Sequence, residues 1–417
     1  MIKQSYIAHR ETFYNFIWRS LQIFGKQGIT FLIFIISAKL LSPYEFGIYN
    51  YVLAIIFLLI IFGDFGISVA TSKYVAEYNA TNKDKLKSIL FNSGVVIIGL
   101  TIIVIILTLT LGPIYLKEKY SYVLYLLPLL FLAPITSLYD GIYRGLKRFK
   151  SLAIISLSVG LVSLSFVYIL IKTYGLVGAL ISQSLFYFIL FLVLGIGYRD
   201  FHLKLNKEVI KEIGGYAFLI GIANISFFMY TRADIIILGK FNYITEIGYY
   251  EILNKILLIL LLPSAILGDI IAPRITSLYA TNNKELVYKK FKKYFGYFLA
   301  LGIAMTLLVY LALPYFISIF LPKYYVSSFK IMFLLFFIIL PTRIIGTFMV
   351  GGFITPSGFA KIVSINTFIF GILNILLDIT LISLFGFLGV IYSTLLLNFI
   401  SFTIRMALYH KKIKNSI

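Results

Sequence analysis

The chain has 417 residues, 60% of them apolar and only 13% charged, with a mean hydropathy of +0.98 and a formal net charge of +21. That composition excludes an ordinary soluble protein, in which about 25% of residues are charged. The absence of cysteine excludes disulfides, thiol catalysis and thiolate metal sites.

The apolar residues gather into long blocks, and a helix needs ~20 of them to cross a hydrocarbon core. Only helices and closed barrels can span a membrane, and the ten-residue alternation of barrel strands is absent. The sequence therefore predicts an all-α polytopic membrane protein. In chain order the expected spans are roughly 13–41, 47–71, 88–112, 121–143, 151–171, 176–198, 213–238, 247–272, 294–317, 328–350, 360–384 and 387–409. Turn chemistry separates them: SPYEFG after Leu41, LGP at 111–113, KTYGLVG at 172–178 and TPSG at 355–358. The first span is too long for a signal-peptide core and lacks a small-residue cleavage site, so it is expected to remain in the protein.

Placing the N-terminus inside puts 24 of the 37 Lys and Arg in inner segments, seven in outer segments and six within spans. This bias, above three to one, predicts cytoplasmic termini in a cytoplasmic membrane. It also accounts for the basic balance: the inner loops face anionic lipid head groups, and no nucleic-acid partner is expected.

An offset of 201 residues aligns the halves. Thr30 meets Thr231, Lys39 meets Lys240, EFGIY (45–49) meets EIGYY (246–250), YNATNKD (78–84) meets YATNNKE (279–285), and Pro113 meets Pro314. After a ten-residue insertion, YGLVGA (174–179) resembles FGFLGV (385–390). Six spans separate equivalent positions, so the halves share an orientation. They are expected to form two parallel-related six-helix bundles, as in some secondary transporters. The expected lobes are 1–198 and 213–417. The basic segment 199–212 would link them, with KEVIKEI as an amphipathic helix on the inner surface.

Charges within spans are expensive and point to function or to internal pairing. The cations are Arg19, Lys26, Arg232, Lys255, Arg343 and Arg405. The acids within or near spans are Asp64, Asp140, Asp234, Glu251, Asp269 and Asp378. Asp140 and Arg405 sit near span ends and are expected to reach the interface. Asn15, Arg19, Gln22 and Lys26 step by four, three and four along one face of the first span, which should look into the bundle. Glu251 and Lys255 have i, i+4 spacing and could simply pair with one another. Asp64 lies in GDFG (63–66), where it reads either as a packed polar contact or as a ligand for a coupling ion. Arg232 and Asp234, two residues apart on a continuous helix, would project ~200° from one another and need separate partners. Arg232 is read as a cavity residue; for Asp234 a structural brace and a transport role both stand. The matching positions in span one are Phe31 and Ile33, so both charges belong to one lobe. No nucleotide-binding loop, metal cluster or nucleophile elbow is present, so no enzyme is expected.

LSPYEFGIYNYVLAIIFLLIIFGDFGISVATSKYVAEY (41–78), YRGLKRFK (143–150) and RADIIILGKFNYITEIGYYEILNKI (232–256) resemble the polysaccharide-biosynthesis flippases. These are Wzx-like exporters of O-antigen or capsule repeat units, within the multidrug/oligosaccharidyl-lipid/polysaccharide exporter superfamily. The resemblance implies a MATE-like fold and translocation, without ATP, of a polyprenyl-diphosphate-linked oligosaccharide between leaflets. It also implies coupling to H+ or Na+ with no other cofactor. Membrane lipids, a glycan polymerase and other assembly proteins are the implied partners. On this reading Arg19, Lys26, Arg232, Lys255 and Arg343 face the substrate, while Asp64, Asp234, Glu251, Asp269 and Asp378 couple ions or pair charges. A cation-coupled drug or metabolite exporter and a non-transporting scaffold for glycan assembly are the alternatives.

Overall fold

The computed structural model describes residues 2–198 and 202–416. Among these, every regular element is a helix. The α-helices are α1 (Ile2–Leu40), α2 (Pro43–Asp64), α3 (Ile67–Thr81), α4 (Lys83–Leu116), α5 (Tyr120–Leu124), α6 (Leu127–Gly145) and α7 (Phe149–Gly197). They continue as α8 (Lys207–Thr231), α9 (Ala233–Lys240), α10 (Ile244–Ala280), α11 (Lys284–Phe320), α12 (Ser327–Phe336), α13 (Leu340–Met349), α14 (Ala360–Phe385) and α15 (Gly389–Lys414).

Nine stretches of the described residues are long and apolar enough to cross a membrane. Two of them, Phe149–Gly197 with 49 residues and Ala360–Lys414 with 55, have length for two crossings each. With the 19-residue α6, whose Asp140 and Arg144 lower its hydropathy, these account for all twelve expected spans. The chain is a multi-pass membrane protein. Outward faces rich in Ile and Leu, such as Ile103 and Ile106 on α4 or Leu307 and Leu311 on α11, suit lipid as solvent.

The turns follow from local chemistry. At the start of α2, Ser42 and Glu45 form a reciprocal capping box and Pro43 occupies the first turn, which satisfies amides that a helix start leaves open. The two halves of α7 are divided by Gly175 at φ 53° and ψ −130°, and α14 is divided from α15 by Gly386 at φ 62° and ψ −149°. These are the matched glycines of YGLVGA and FGFLGV, and both occupy backbone space open essentially to glycine alone. Three residues later, a Cβ on Gly178 or Gly389 would overlap the backbone of the preceding helix at Leu170 or Leu381. The repeated motif thus builds the same tight reversal twice.

The chain divides into two compact units, Met1–Ile225 and Ser226–Ile417. In the first, α1 packs on α7, and α6 lies against α3, α4 and α7. Val209, Ile213 and Ala217, spaced by four along α8, are buried in its core with Ile89, Leu138 and Ile142. The apolar face of KEVIKEI is therefore packed against this unit. Residues 202–206 run along α4: His202 N–H donates to the Lys87 carbonyl at 2.8 Å, and Asn92 contacts the backbone of Lys204 and Asn206. Residues 199–201 of the expected linker lie outside the described residues. In the second unit α14 packs on α15 and α9, and α13 on α10 and α11. A short π-helical segment, Val350–Ile354, extends α13.

Candidate functional site

The second unit holds a cavity of about 200 Å³ whose wall includes Tyr230, Arg232, Asp234, Tyr250, Arg343, Asn374, Thr394 and Asn398. Its first wall comes from a helix break. Thr231 ends α8, and Arg232, at φ −142° and ψ −13°, stands outside helical geometry as the residue before α9. This interruption changes the expectation for Arg232 and Asp234. They need not project to opposite sides, and both line the same cavity.

Each nevertheless has its own partner. Arg232 Nη1 donates to Glu251 Oε1 at 2.7 Å, and the Glu251 side chain is 2% exposed against 32% for Arg232. Lys255, one turn beyond Glu251 on α10, lies in the field of both charges. Asp234 sits in the first turn of α9, where the helix dipole favours an anion. It accepts the Tyr250 hydroxyl proton and the Ile235 N–H at 3.0 Å. Tyr250 also contacts the Thr394 hydroxyl at 3.3 Å. Beside this chain, the fully buried Asp378 accepts from Ser393 and from Asn374, the latter at 3.1 Å. Asp378 and Asp234 are close enough to repel. Like charges buried this close disfavour simultaneous ionisation of both carboxyl groups.

The third feature is a pair of guanidinium groups. Arg343 on α13 lies with its guanidinium carbon 5.5 Å from the Tyr230 ring centroid, a cation–π distance. Arg405 on α15 donates to Ser401 Oγ at 3.2 Å and faces the Tyr230 hydroxyl. The sequence alone sends Arg405 to the interface; the structure turns it inward. The Nε atoms of Arg343 and Arg405 are buried without a hydrogen-bond partner. An orphaned buried donor costs about 1–3 kcal/mol, and more when charged.

The first unit has a separate cavity of about 210 Å³, lined by Lys26, Asp64, Ser68, Thr136, Asp140 and Arg144 among others. Asp64 ends α2, and Phe65 and Gly66 at φ 40° and 82° break the chain before α3. The Asp64 carboxylate then accepts from the Gly66 and Ser68 amides and from the Ser68 hydroxyl, so it caps α3. Arg19 donates to Gln22, Gln22 to Asp140 at 3.3 Å, and Asp140 pairs with Arg144 at 2.7 Å. The expected stripe on α1 thus meets α6 at Gln22. The side chain of Asn15 lies outside the described residues.

The candidates are therefore distributed. Arg232, Asp234, Glu251, Lys255, Arg343 and Asp378 gather around the second unit's cavity, and Arg19, Lys26 and Asp64 belong to the first unit. Asp269 is exposed on α10, opposite Gly351, and lines neither cavity. Tyr230, Tyr250, Asn374 and Thr394 join the cavity wall, uncharged and so unmarked by the pattern of charges within spans. A signal existed in α15, where Thr394, Asn398, Ser401 and Arg405 step by four, three and four, the spacing of the stripe on α1. Among the described residues, no group of three His, Asp or Glu is placed to hold a metal.

The sequence profile of a family described as polysaccharide biosynthesis protein matches residues 13–279. No curated protein is significantly similar to the chain. Among solved structures, an inward-facing multidrug resistance MATE transporter of the MOP superfamily is similar with a TM-score of 0.80 and 14% identity, over 95% of this chain and 98% of that one. The lipid II flippase MurJ, in an inward closed conformation, is similar with a TM-score of 0.72 and 16% identity, over 96% of this chain and 90% of that one. A MOP-superfamily transporter from Pyrococcus furiosus gives 0.59 and 16% identity, over 96% and 94%.

Proposed function

The chain belongs to the polysaccharide biosynthesis protein family, and from that premise we propose that it is a flippase for a polyprenyl-diphosphate-linked oligosaccharide. It carries this lipid from the inner to the outer leaflet of the cytoplasmic membrane by alternating access, driven by a proton or sodium gradient. The observation that carries the reading is the second unit's cavity, which places guanidinium groups, amides and hydroxyls together inside an apolar membrane body. A diphosphate moving through a low-dielectric region needs such cations, and Arg matches phosphate geometry with its planar fork. Asp234 and Asp378, buried side by side, are the groups proposed to take up the coupling ion. The fold shared with a lipid II flippase and with MATE transporters supports transport in place of catalysis. Membrane lipids surround the protein on this reading, and a glycan polymerase receives its product.

Cells lacking the protein should accumulate the lipid-linked repeat unit on the cytoplasmic leaflet, read by protection of that glycan from an added impermeant lectin or glycosidase in spheroplasts. Unchanged sidedness would refute the proposal. The carboxylate pair would equally serve a cation-coupled exporter of drugs or metabolites. That second reading predicts raised tolerance to cationic dyes on expression, with glycan display unaltered.

A further inference from the structure

The cations of the second unit are not equivalent. Arg232, the most conspicuous in the sequence, is neutralised at 2.7 Å by a carboxylate that has almost no other exposure. Arg343 and Arg405 differ: among the described residues no carboxylate pairs with either of them. They repel one another across Tyr230, which offers one its ring face and the other its hydroxyl. The side chains that hydrogen-bond around them are neutral. Ser401 donates to Asn366 at 2.6 Å and accepts from Arg405, and Asn398 donates to Thr342 at 2.5 Å. These contacts fix α13, α14 and α15 to one another without supplying negative charge. Arg343, Tyr230 and Asn398 also line the cavity, so a ligand there meets Arg343 directly, with Arg405 held next to Tyr230 behind that wall.

Two uncompensated guanidinium groups held beside a cavity in an apolar body are unfavourable until an anion joins them. We propose that Arg343 and Arg405, with Tyr230 between them, form an anion subsite that takes the phosphate groups of a prenyl diphosphate. The identity of that lipid rests on the flippase reading; the subsite itself rests on the uncompensated pair. A phospholipid head group carries the same phosphate chemistry, and the experiment below separates the two sources. Arg232 then serves chiefly to hold Glu251, and the anion-binding role falls to Arg343 and Arg405.

The test is binding of farnesyl diphosphate to the full-length protein in detergent micelles, measured by titration calorimetry, with farnesol, inorganic pyrophosphate and phosphatidylglycerol as competitors. Arg343→Gln and Arg405→Gln should each weaken farnesyl diphosphate binding about tenfold or more, the loss of a charge-assisted contact. Arg343→Lys and Arg405→Lys should restore part of the affinity, because charge returns without the fork. The exposed Lys289→Gln serves as a control and should bind as wild type. Wild-type affinity in both Gln variants would overturn the proposal. Displacement by phosphatidylglycerol as readily as by farnesyl diphosphate itself would keep the subsite and assign it to membrane phospholipid.

Should the Gln variants fail to fold, the native protein decides. Farnesyl diphosphate should slow phenylglyoxal modification of Arg343 and Arg405, quantified by peptide mass spectrometry, and unchanged rates would overturn the subsite. Binding lost in the variants while wild-type vesicles move no glycolipid would sink the flippase reading and leave the subsite standing. Transport at the wild-type rate in both Gln variants would do the reverse.

Discussion

Replacing Arg232 with alanine removes the partner of a carboxylate that has almost no access to water. The pair spans 2.7 Å, with Glu251 at 2% and Arg232 at 32% exposure. Breaking a fully buried pair costs about 3–5 kcal/mol, because one charge is left without compensation. Two features reduce that figure here. Arg232 is a third open to the cavity, and Lys255 lies one turn from Glu251 and takes over part of the compensation. The expected cost of Arg232→Ala is therefore about 2–3 kcal/mol, within the range of couplings between contacting charges. For a unit of this size each kcal/mol moves the melting temperature by about 2–4 °C, so the loss is about 4–12 °C by scanning calorimetry in detergent. Fluorescence would report poorly, since the single tryptophan, Trp18, lies in the first unit. Glu251→Gln removes the buried charge itself and should cost less; the double variant Arg232→Ala/Glu251→Gln should recover much of the loss. A double-mutant cycle that adds within ~0.5 kcal/mol would refute the reasoning, since independent sites add to about that precision.

Ser393→Ala takes a hydroxyl donor from the fully buried Asp378 and should destabilise by about 1–3 kcal/mol. Thr394→Ala, which removes only the 3.3 Å contact to Tyr250, should cost less in the same calorimetric measurement. Gly175→Ala and Gly386→Ala should each cost about 1–3 kcal/mol, because both force a Cβ into backbone space that side chains avoid. Similar losses at the two positions are expected if the repeated turn carries the same structural role in each unit. Lys85 pairs with Glu208 and Glu212 at 3.2 and 3.0 Å, and Glu212 also accepts from Tyr78. Lys85→Gln should speed hydrogen exchange over 207–217, and so should high salt on the wild type, because exposed ion pairs are screened.

What the sequence made legible was whatever depends on length, turns and local spacing. Apolar stretches near the length of a bilayer gave the spans, although the expected span 47–71 runs through GDFG, where Phe65 and Gly66 at positive φ separate α2 from α3. The offset repeat marked Gly175 and Gly386 as equivalent, and they share a backbone conformation. The break at Arg232 had no such mark: neither glycine nor proline occurs between Phe227 and Leu238, so the residues read as one continuous helix. Partnership was equally hidden. Glu251 could be assigned to Lys255 by spacing, whereas its pairing with Arg232 spans 19 residues and depends on how α9 meets α10. Asp269 and Asp378 look alike as lone acids in apolar runs, but one is exposed and the other fully buried. A single residue does not declare its helix face. Arg405 shows the converse, since its polar row on α15 was readable by period while the Tyr230 hydroxyl it faces inside comes from another helix.

The central claim is that this protein moves a polyprenyl-diphosphate-linked oligosaccharide across a bilayer. Its most direct test is reconstitution into sealed liposomes carrying a fluorescent short-chain prenyl-diphosphate oligosaccharide, with an ion gradient imposed. The fraction of label open to an impermeant quencher is then followed over time. The account predicts protein-dependent redistribution between leaflets that accelerates with a proton or sodium gradient. No redistribution beyond that of protein-free liposomes, with the folded protein present in the membrane, would contradict it.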